Sequence, residues 1–271
     1  MAINDITLAG GMRNNLVSLQ TVAALQARTT QRLSTGKRVN SAVDDPSAYF
    51  AAQNHLSRAN DLAARKDSMG EAIQTVKAAL QGIDGITNLI QQAKGLAASA
   101  RSATTADRAS LATQFNALRT QIDQLANDAG YKGTNFLAAG SSLVVEFNES
   151  GSSTLTISGF DASTTGLAVA AAQNNWVADT DINAAVANLD TALGTLRANA
   201  KTLSSNNGVV TARQTFTQDI INTLTNGADQ LTAADTNEEG ANMLALQTRQ
   251  QLGIVALQLS SQAQQSIMRL F

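Results

Sequence analysis

The 271-residue chain contains no cysteine, one proline, one histidine and few aromatic residues, 4% of the total. Without cysteine there is neither a disulfide framework nor a thiolate metal site, and thiol chemistry is excluded. With His55 the sole histidine, a Ser-His-Asp triad or a conventional transition-metal site has too few members, and a satisfied or solvent-facing imidazole is the reading adopted for it. Scarce aromatics argue against one large compact core, because those side chains bury the most area each. Charge is equally modest, 15% of residues with a formal net of −2. No run of five basic residues occurs, which speaks against nucleic-acid and acidic-membrane partners. No segment reaches the roughly 20 apolar residues needed to span a bilayer, and the first fifteen residues carry no signal-peptide pattern.

What remains is a chain that is 44% hydrophobic, built mostly from Ala, Leu, Val and Ile with Gln, Asn, Ser and Thr between them. That mixture suits long, closely approaching helices with polar, uncharged outer faces. Four helical tracts are legible. Leu8, Met12, Leu16, Leu19, Val22 and Ala23 recur at three and four, one face of a first helix. Ser34-Thr35-Gly36 then favours a turn, and a second helix begins at Pro46 with Asp45 as N-cap. Its face carries Leu62, Met69, Ile73, Val76, Leu80, Ile83, Ile90 and Ala97; some fifty helical residues at ~1.5 Å each make a rod on the order of 75 Å. Gly70, Gly82, Gly85 and Gly95 are read as points of close packing rather than breaks. A third tract, Leu111 to Ala129, is expected to stop at Gly130 in the left-handed C′ position.

Between residues 131 and 160 the period changes. Leu143 to Phe147 and Leu155 to Ile157 flank a polar turn, a β-hairpin pattern; residues 161–180 read as an irregular or weakly β stretch. The fourth tract follows a 3.5-residue repeat through Leu189, Leu193, Leu196, Ala200, Leu203, Val210, Ile221, Leu224, Ala228 and Leu231. In the same phase it lapses into Asp235, Glu238, Asn242, Ala245 and Arg249, then resumes at Leu252, Ala256, Leu259, Ala263 and Leu270. A sustained heptad means helices wound together, and the lapse marks a domain boundary. The two end tracts each carry an apolar face with nothing adjacent to cover it. Leu25, Ile254 and Leu257 lie off the seam and imply a second contact face, as in an interior or an assembly. Patterning alone also fits an ordinary four-helix bundle.

Other chemistry is thin. Asp44 and Asp45 could form a carboxylate pair, but their place before Pro46 makes capping the simpler role. Ser34-Thr35-Gly36-Lys37 ends like a phosphate loop yet has Gln31 where glycine is needed and Arg38 where Ser or Thr is needed. Asn148-Glu149-Ser150 fits an N-glycosylation acceptor, a short pattern with a high chance rate.

Four blocks, however, resemble a known family. Residues 32–48, Arg-Leu-Ser-Thr-Gly-Lys-Arg-Val-Asn-Ser-Ala-Val-Asp-Asp-Pro-Ser-Ala, look like the signature between the first two helices of bacterial flagellins. Residues 131–137 resemble their loop before the hairpin, and residues 263–271 their terminal helix, while residues 232–242 are similar to short alphaproteobacterial flagellins. The resemblance implies a mainly α fold: a long coiled-coil rod from the N- and C-terminal segments with a small β-hairpin insert. It implies a polymerisation domain at residues 1–40 plus 237–271, a helical rod domain at 41–137 plus 182–236, and an outer insert at 138–181. Leu8, Met12, Leu16, Leu19, Leu252, Ala256, Leu259, Ala263 and Leu270 would be the self-assembly residues, and Asn40, Asp44, Asp45 and Pro46 the arm-to-rod turn.

By the same resemblance the chain is a non-enzymatic subunit of the flagellar filament with no cofactor. Its partners would be further copies of itself, a flagellin export chaperone on the carboxyl-terminal arm, the type III flagellar export apparatus, and the cap and hook-associated proteins. It would lie outside the cell, exported without a cleaved signal peptide. Gln92 stands where flagellins recognised by the animal innate immune receptor carry Arg, so weak recognition is expected. A hook–filament junction protein and a chemoreceptor-like signalling coiled coil are the rival readings. A zinc-protease insert is disfavoured because no histidine lies between Ala138 and Asp181.

Overall fold

A computed structural model describes residues 10–268. Five helices are present, α1 (Gly10–Thr35), α2 (Pro46–Ala100), α3 (Thr105–Asp128), α4 (Asp179–Thr232) and α5 (Thr236–Met268), with one antiparallel hairpin, β1 (Ser142–Glu146) and β2 (Thr154–Ser158), between α3 and α4. The fold is mainly α with a small β insert, as the composition requires. The chain divides into two compact units, one made of Met1–Ser57 with Leu224–Phe271 and the other of Arg58–Thr223. Expected self-assembly residues Leu8 and Leu270 lie outside the described residues.

The Arg58–Thr223 unit holds a continuous core. From α2 it takes Ile83, Ile86 and Ile90, from α3 Phe115 and Ile122, and from α4 Leu189, Leu196 and Leu203; the inner face of the hairpin adds Val145 and Ile157. The α4 residues are the heptad positions expected from spacing, and alternation in the hairpin sets Val145 and Ile157 inward, as period-two strands must. Where the seam reaches Asn207, Gln214 and Thr217 it becomes polar, and the Gln214 Nε2 donates to the Lys66 carbonyl at 3.3 Å.

The glycines of α2 do not break it. A Cβ at Gly82 would sit 2.6 Å from both the Ala129 Cβ and the Leu137 Cδ1, and one at Gly85 would sit 2.7 Å from the Leu125 Cδ2. These positions are glycine so that α3 and the following loop can lie against the α2 backbone. At Gly95 the expectation of close packing fails, since nothing lies within 4 Å of the built Cβ.

Gly130 likewise does not take the expected left-handed role, for only Gly36, Gly133, Gly140 and Gly151 have positive φ among described glycines. Helix α3 is closed by a side chain instead. The Asn135 Nδ2 donates to the carbonyls of Ala126 at 2.8 Å and Asn127 at 3.1 Å, satisfying acceptors that every helix end leaves open.

Residues 161–178 contain no strand, yet they have a defined course. On one face of α3, Asn116, Arg119 and Asp123 recur at three and four. Asn116 Oδ1 accepts from the Ala172 N–H at 3.0 Å, Arg119 Nε donates to the Val169 carbonyl at 2.8 Å, and Asp123 accepts from the Thr164 N–H at 2.7 Å. The segment ends in a left-handed turn, with φ of 47°, 50° and 56° at Asn174, Asn175 and Trp176. Such φ values cost a non-glycine residue on the order of 1–3 kcal/mol. The fully buried Trp176 ring, 4.9 Å from that of Phe115, offsets that cost. Arg108 donates to the Val177 carbonyl at 3.0 Å and pairs with Asp179 at 2.8 Å, fixing the start of α4.

The contrast between glycines is measurable. Gly82→Ala gains about 1 kcal/mol of helix propensity but meets an overpacking cost of about 1–3 kcal/mol, so thermal denaturation should show a net loss. Gly95→Ala meets no neighbour and should raise stability by up to about 1 kcal/mol.

Candidate functional site

The unit containing both ends of the chain is built on an antiparallel pair, α1 against α5. Along α1 the half-buried or buried positions include Met12, Asn15, Leu19, Val22, Gln26, Thr29 and Leu33, and along α5 Glu239, Met243, Leu246, Gln250, Gly253, Leu257 and Ser260; Arg32, Gly240 and Ala256 flank them. Both series step by alternate threes and fours, a coiled-coil seam. Gly253 is glycine because Leu19 lies on it: a Cβ there would meet the Leu19 Cδ2 at 2.7 Å. Nearer the other end, the Arg32 Nη1 donates to the Glu239 Oε1 at 2.7 Å.

This seam lies one residue beyond the phase expected from the leucine spacing. Leu252 and Leu259 were read as seam positions, but they are 64% and 62% exposed, and Leu257, read as off the seam, is part of it. The physical reason is that the intrachain face of α5 alternates Met243, Leu246 and Leu257 with the small or polar Glu239, Gln250, Gly253 and Ser260, so the leucine count does not mark it. The large apolar residues Leu244, Ile254 and Val255 stand outside with Leu252 and Leu259, as Leu16, Val17 and Leu25 do on α1. Of the other residues proposed for assembly, Met12, Leu19 and Ala256 are half-buried and Ala263 is exposed. An apolar set of this size facing water on two paired helices is what a docking surface looks like.

The connection between α1 and α2 is tied to the connection between α4 and α5. Thr232 accepts at its carbonyl from the N–H groups of Arg38 at 2.7 Å and Val39 at 3.2 Å, and the Ala234 N–H donates to the Gly36 carbonyl at 2.9 Å. Gly36 has φ +66°, a conformation available to glycine at little cost, which turns the chain into this bridge. Sequence reading found the first turn but not its partner. The clue was the break of phase at Ala233-Ala234-Asp235, where Asp235 caps α5 by accepting from the Asn237 N–H at 2.8 Å.

Within the turn, Asp45 caps α2 as expected, its Oδ1 accepting from the Ala48 N–H at 3.0 Å ahead of Pro46. Asp44 closes the turn: its Oδ2 accepts from the N–H groups of Asn40 at 3.1 Å and Ser41 at 3.0 Å and from the Ser41 hydroxyl at 3.1 Å. The two carboxylates thus serve the backbone and form no acid-base pair. The Ser41 hydroxyl, then the two N–H groups, hold the Asp44 carboxyl below its ordinary value of 3.8. In the other unit, the Asn148 amide is consumed by its own loop, donating to the Ser150 and Ser152 hydroxyls at 3.0 and 2.7 Å and accepting from the Ser153 N–H at 3.1 Å. Its sequon reads as turn chemistry. His55 is half-buried, and no helix among the described residues is long and apolar enough to cross a membrane.

Comparison with known proteins gives this architecture its family. The model described as the bacterial flagellin N-terminal helical region matches residues 3–142. Flagellin FljO of Caulobacter vibrioides is 32% identical over 281 aligned residues, taking in 100% of both chains. The chain belongs to the bacterial flagellin family. A flagellin of Brucella melitensis is 29% identical, with 94% of this chain and 96% of that one aligned. The flagellin of Escherichia coli K12 is 27% identical over 64% of this chain and 35% of its own length. The family is a structural one, and nothing in these comparisons favours a hook–filament junction protein or a chemoreceptor-like coiled coil.

The Asp44 turn generates a pH dependence of definite sign. A carboxylate whose folded-state pKa is depressed contributes stability that is complete above its ordinary pKa and is lost as pH falls through the lower folded value. Hydrogen exchange should therefore show the Asn40 and Ser41 amides protected at neutral pH and losing protection below the ordinary carboxylate range. Asp44→Ala should abolish the protection at every pH.

Proposed function

We propose that this flagellin polymerises through the outward faces of α1 and α5, and that the repeating contact is between different patches on successive copies. The observation that carries the reading is the exposure of Leu252 and Leu259 on a helix whose own seam is already filled. A contact of unlike patches whose rotation does not close grows without limit, which is the form a filament requires. Residues 1–40 with 237–271 serve as the polymerisation domain, 41–137 with 182–236 as the rod, and 138–181 as the outer insert. Asn40, Asp44, Asp45 and Pro46 form the arm-to-rod turn.

Before assembly the same apolar faces need a cover, and an export chaperone on the carboxyl-terminal arm fits that need. Passage through the type III flagellar export apparatus without a cleaved signal peptide, contact with the cap and hook-associated proteins, and a place outside the cell complete the reading. Catalysis has no part in it: the one histidine and the absence of cysteine leave a chain whose described carboxylate pair is spent on turns and caps.

Leu252→Asp with Leu259→Asp tests the reading directly. Both side chains point away from the α1–α5 seam, so circular dichroism of the monomer should change little. Each buried leucine is worth about 1.5–3 kcal/mol, so losing two should raise the critical concentration by roughly two to four orders of magnitude, abolishing sedimentable filaments at ordinary concentrations. Leu246→Asp, placed in the seam, should instead melt the helical pair itself. Normal filaments from the double variant would overturn the reading.

A further inference from the structure

Within the Arg58–Thr223 unit, helix α4 is weak by composition along one stretch. Of the ten residues from Thr202 to Thr211, one is Gly208 and eight are Ser, Thr, Asn or Val, types that favour a helix less than Ala or Leu do. The helix nevertheless runs on through them. Packing does not compensate, because the seam itself turns polar here. Val210 is the last α4 residue in the core of this unit. Asn207, Gln214 and Thr217 take the neighbouring seam positions, while Val209 and Phe216 stand exposed. The Asn207 Oδ1 is buried without a hydrogen-bond partner, so its desolvation is uncompensated.

Helix α2 has its own weak point at the same level, Ser68-Met69-Gly70. The Lys66 carbonyl, which helical geometry pairs with the Gly70 N–H, also accepts from the Gln214 Nε2 at 3.3 Å. Lys66 Nζ in turn donates to the Gln218 Oε1 at 3.0 Å. Gly/Ser pairs, and side chains inserted into the helical hydrogen-bond ladder, are where long helices bend. Gly70 differs from Gly82 and Gly85 in what covers it: a Cβ there would meet the amide end of Gln214 at 3.3 Å and no apolar group. The hairpin reaches this level through Arg65, paired with Glu146 at 2.5 Å, and partly exposed ion pairs of this kind hold loosely.

We infer that α2 and α4 bend together at this level, residues 66–70 with residues 207–214, as a polar hinge built into the unit. On one side of it lies the part filled by isoleucine and leucine, on the other the stretch of α4 beyond Val210. A polar seam that served only to fix the register of the two helices would have its side chains satisfied, and the Asn207 Oδ1 is not. Opening the seam here admits water to Asn207 and Gln214, groups that water satisfies. Opening it at Ile86 or Leu196, both fully buried, would instead wet apolar surface at a cost proportional to its area. The hinge is a property of one copy and is independent of how copies dock.

Because the chain has no cysteine, spin labels can be placed in chosen pairs and their separation read by pulsed electron paramagnetic resonance on the full-length monomer. Lys201→Cys with Asp219→Cys spans the hinge, and Ala184→Cys with Thr202→Cys spans the apolar part; all four positions are exposed on α4. Each pair is separated by about 27 Å of helix. The hinge pair should give a distance distribution roughly twice as wide as the control pair. Adding Asn207→Leu and Gly208→Ala should narrow it to the control width, and Gly70→Ala, acting from α2, should narrow it as well. Equal widths for the two pairs in the otherwise unaltered chain would overturn the inference, even if Asn207→Leu raised the melting temperature. A wide hinge distribution that neither set of substitutions narrows would overturn it too, by assigning the motion to other residues.

Discussion

A pair of helices can hide only one stripe of each from water, and in this flagellin small and polar residues take up half of that single seam. Gly253 opposite Leu19, Gln250 in a seam position and a single-contact Arg32–Glu239 pair bury far less apolar area than Leu252 and Leu259 would have. At about 25 cal/mol per Å², the leucines left outside represent stabilisation that the isolated chain forgoes. Under the proposed polymerisation the arrangement is intelligible: a seam just strong enough to present the two helices together would leave their exposed hydrophobic residues for neighbouring copies.

The Arg58–Thr223 unit follows the opposite rule. Its heptad leucines face inward, its α2 glycines let α3 lie against bare backbone, and the stretch without regular structure is stitched to a polar stripe on α3. Even the strained turn at Asn174–Trp176 is held by a buried ring contact and by Arg108. Val144, Val177, Val209 and Phe216 still stand exposed on it, but its core closes without them. The two units thus differ in where their leucines are directed: inward in the Arg58–Thr223 unit, and in part outward on α1 and α5.

Much of this was legible in the residues. Spacing by threes and fours located the helices, alternation located the hairpin, and Asp45-Pro46 announced a capped helix start. The seam phase of α5 was not legible, because counting leucines finds the strongest stripe and assumes that it faces inward; only the steric fit of Leu19 on Gly253 shows that it faces out. The helix stops where expected, with Gly130 just past the Ala129 C-cap, but the left-handed conformation expected of Gly130 is absent, since a side chain five residues later supplies the cap and no local pattern signals that reach. The close-packing role of Gly82 and Gly85 and its absence at Gly95 depend on what the third helix does, which the α2 sequence alone does not specify. The bridge from Gly36, Arg38 and Val39 to Thr232 and Ala234 joins segments some two hundred residues apart and has no periodic signature.

That bridge carries a topological consequence. The main chain is effectively stapled to itself at the root of its first and last helices, so everything between Val39 and Thr232 forms a loop closed by backbone hydrogen bonds, with the two paired arms outside it. Digestion working inward from either end can strip an arm, but it meets the same staple from both directions. A trimmed particle should retain that closed loop whichever end was cut first.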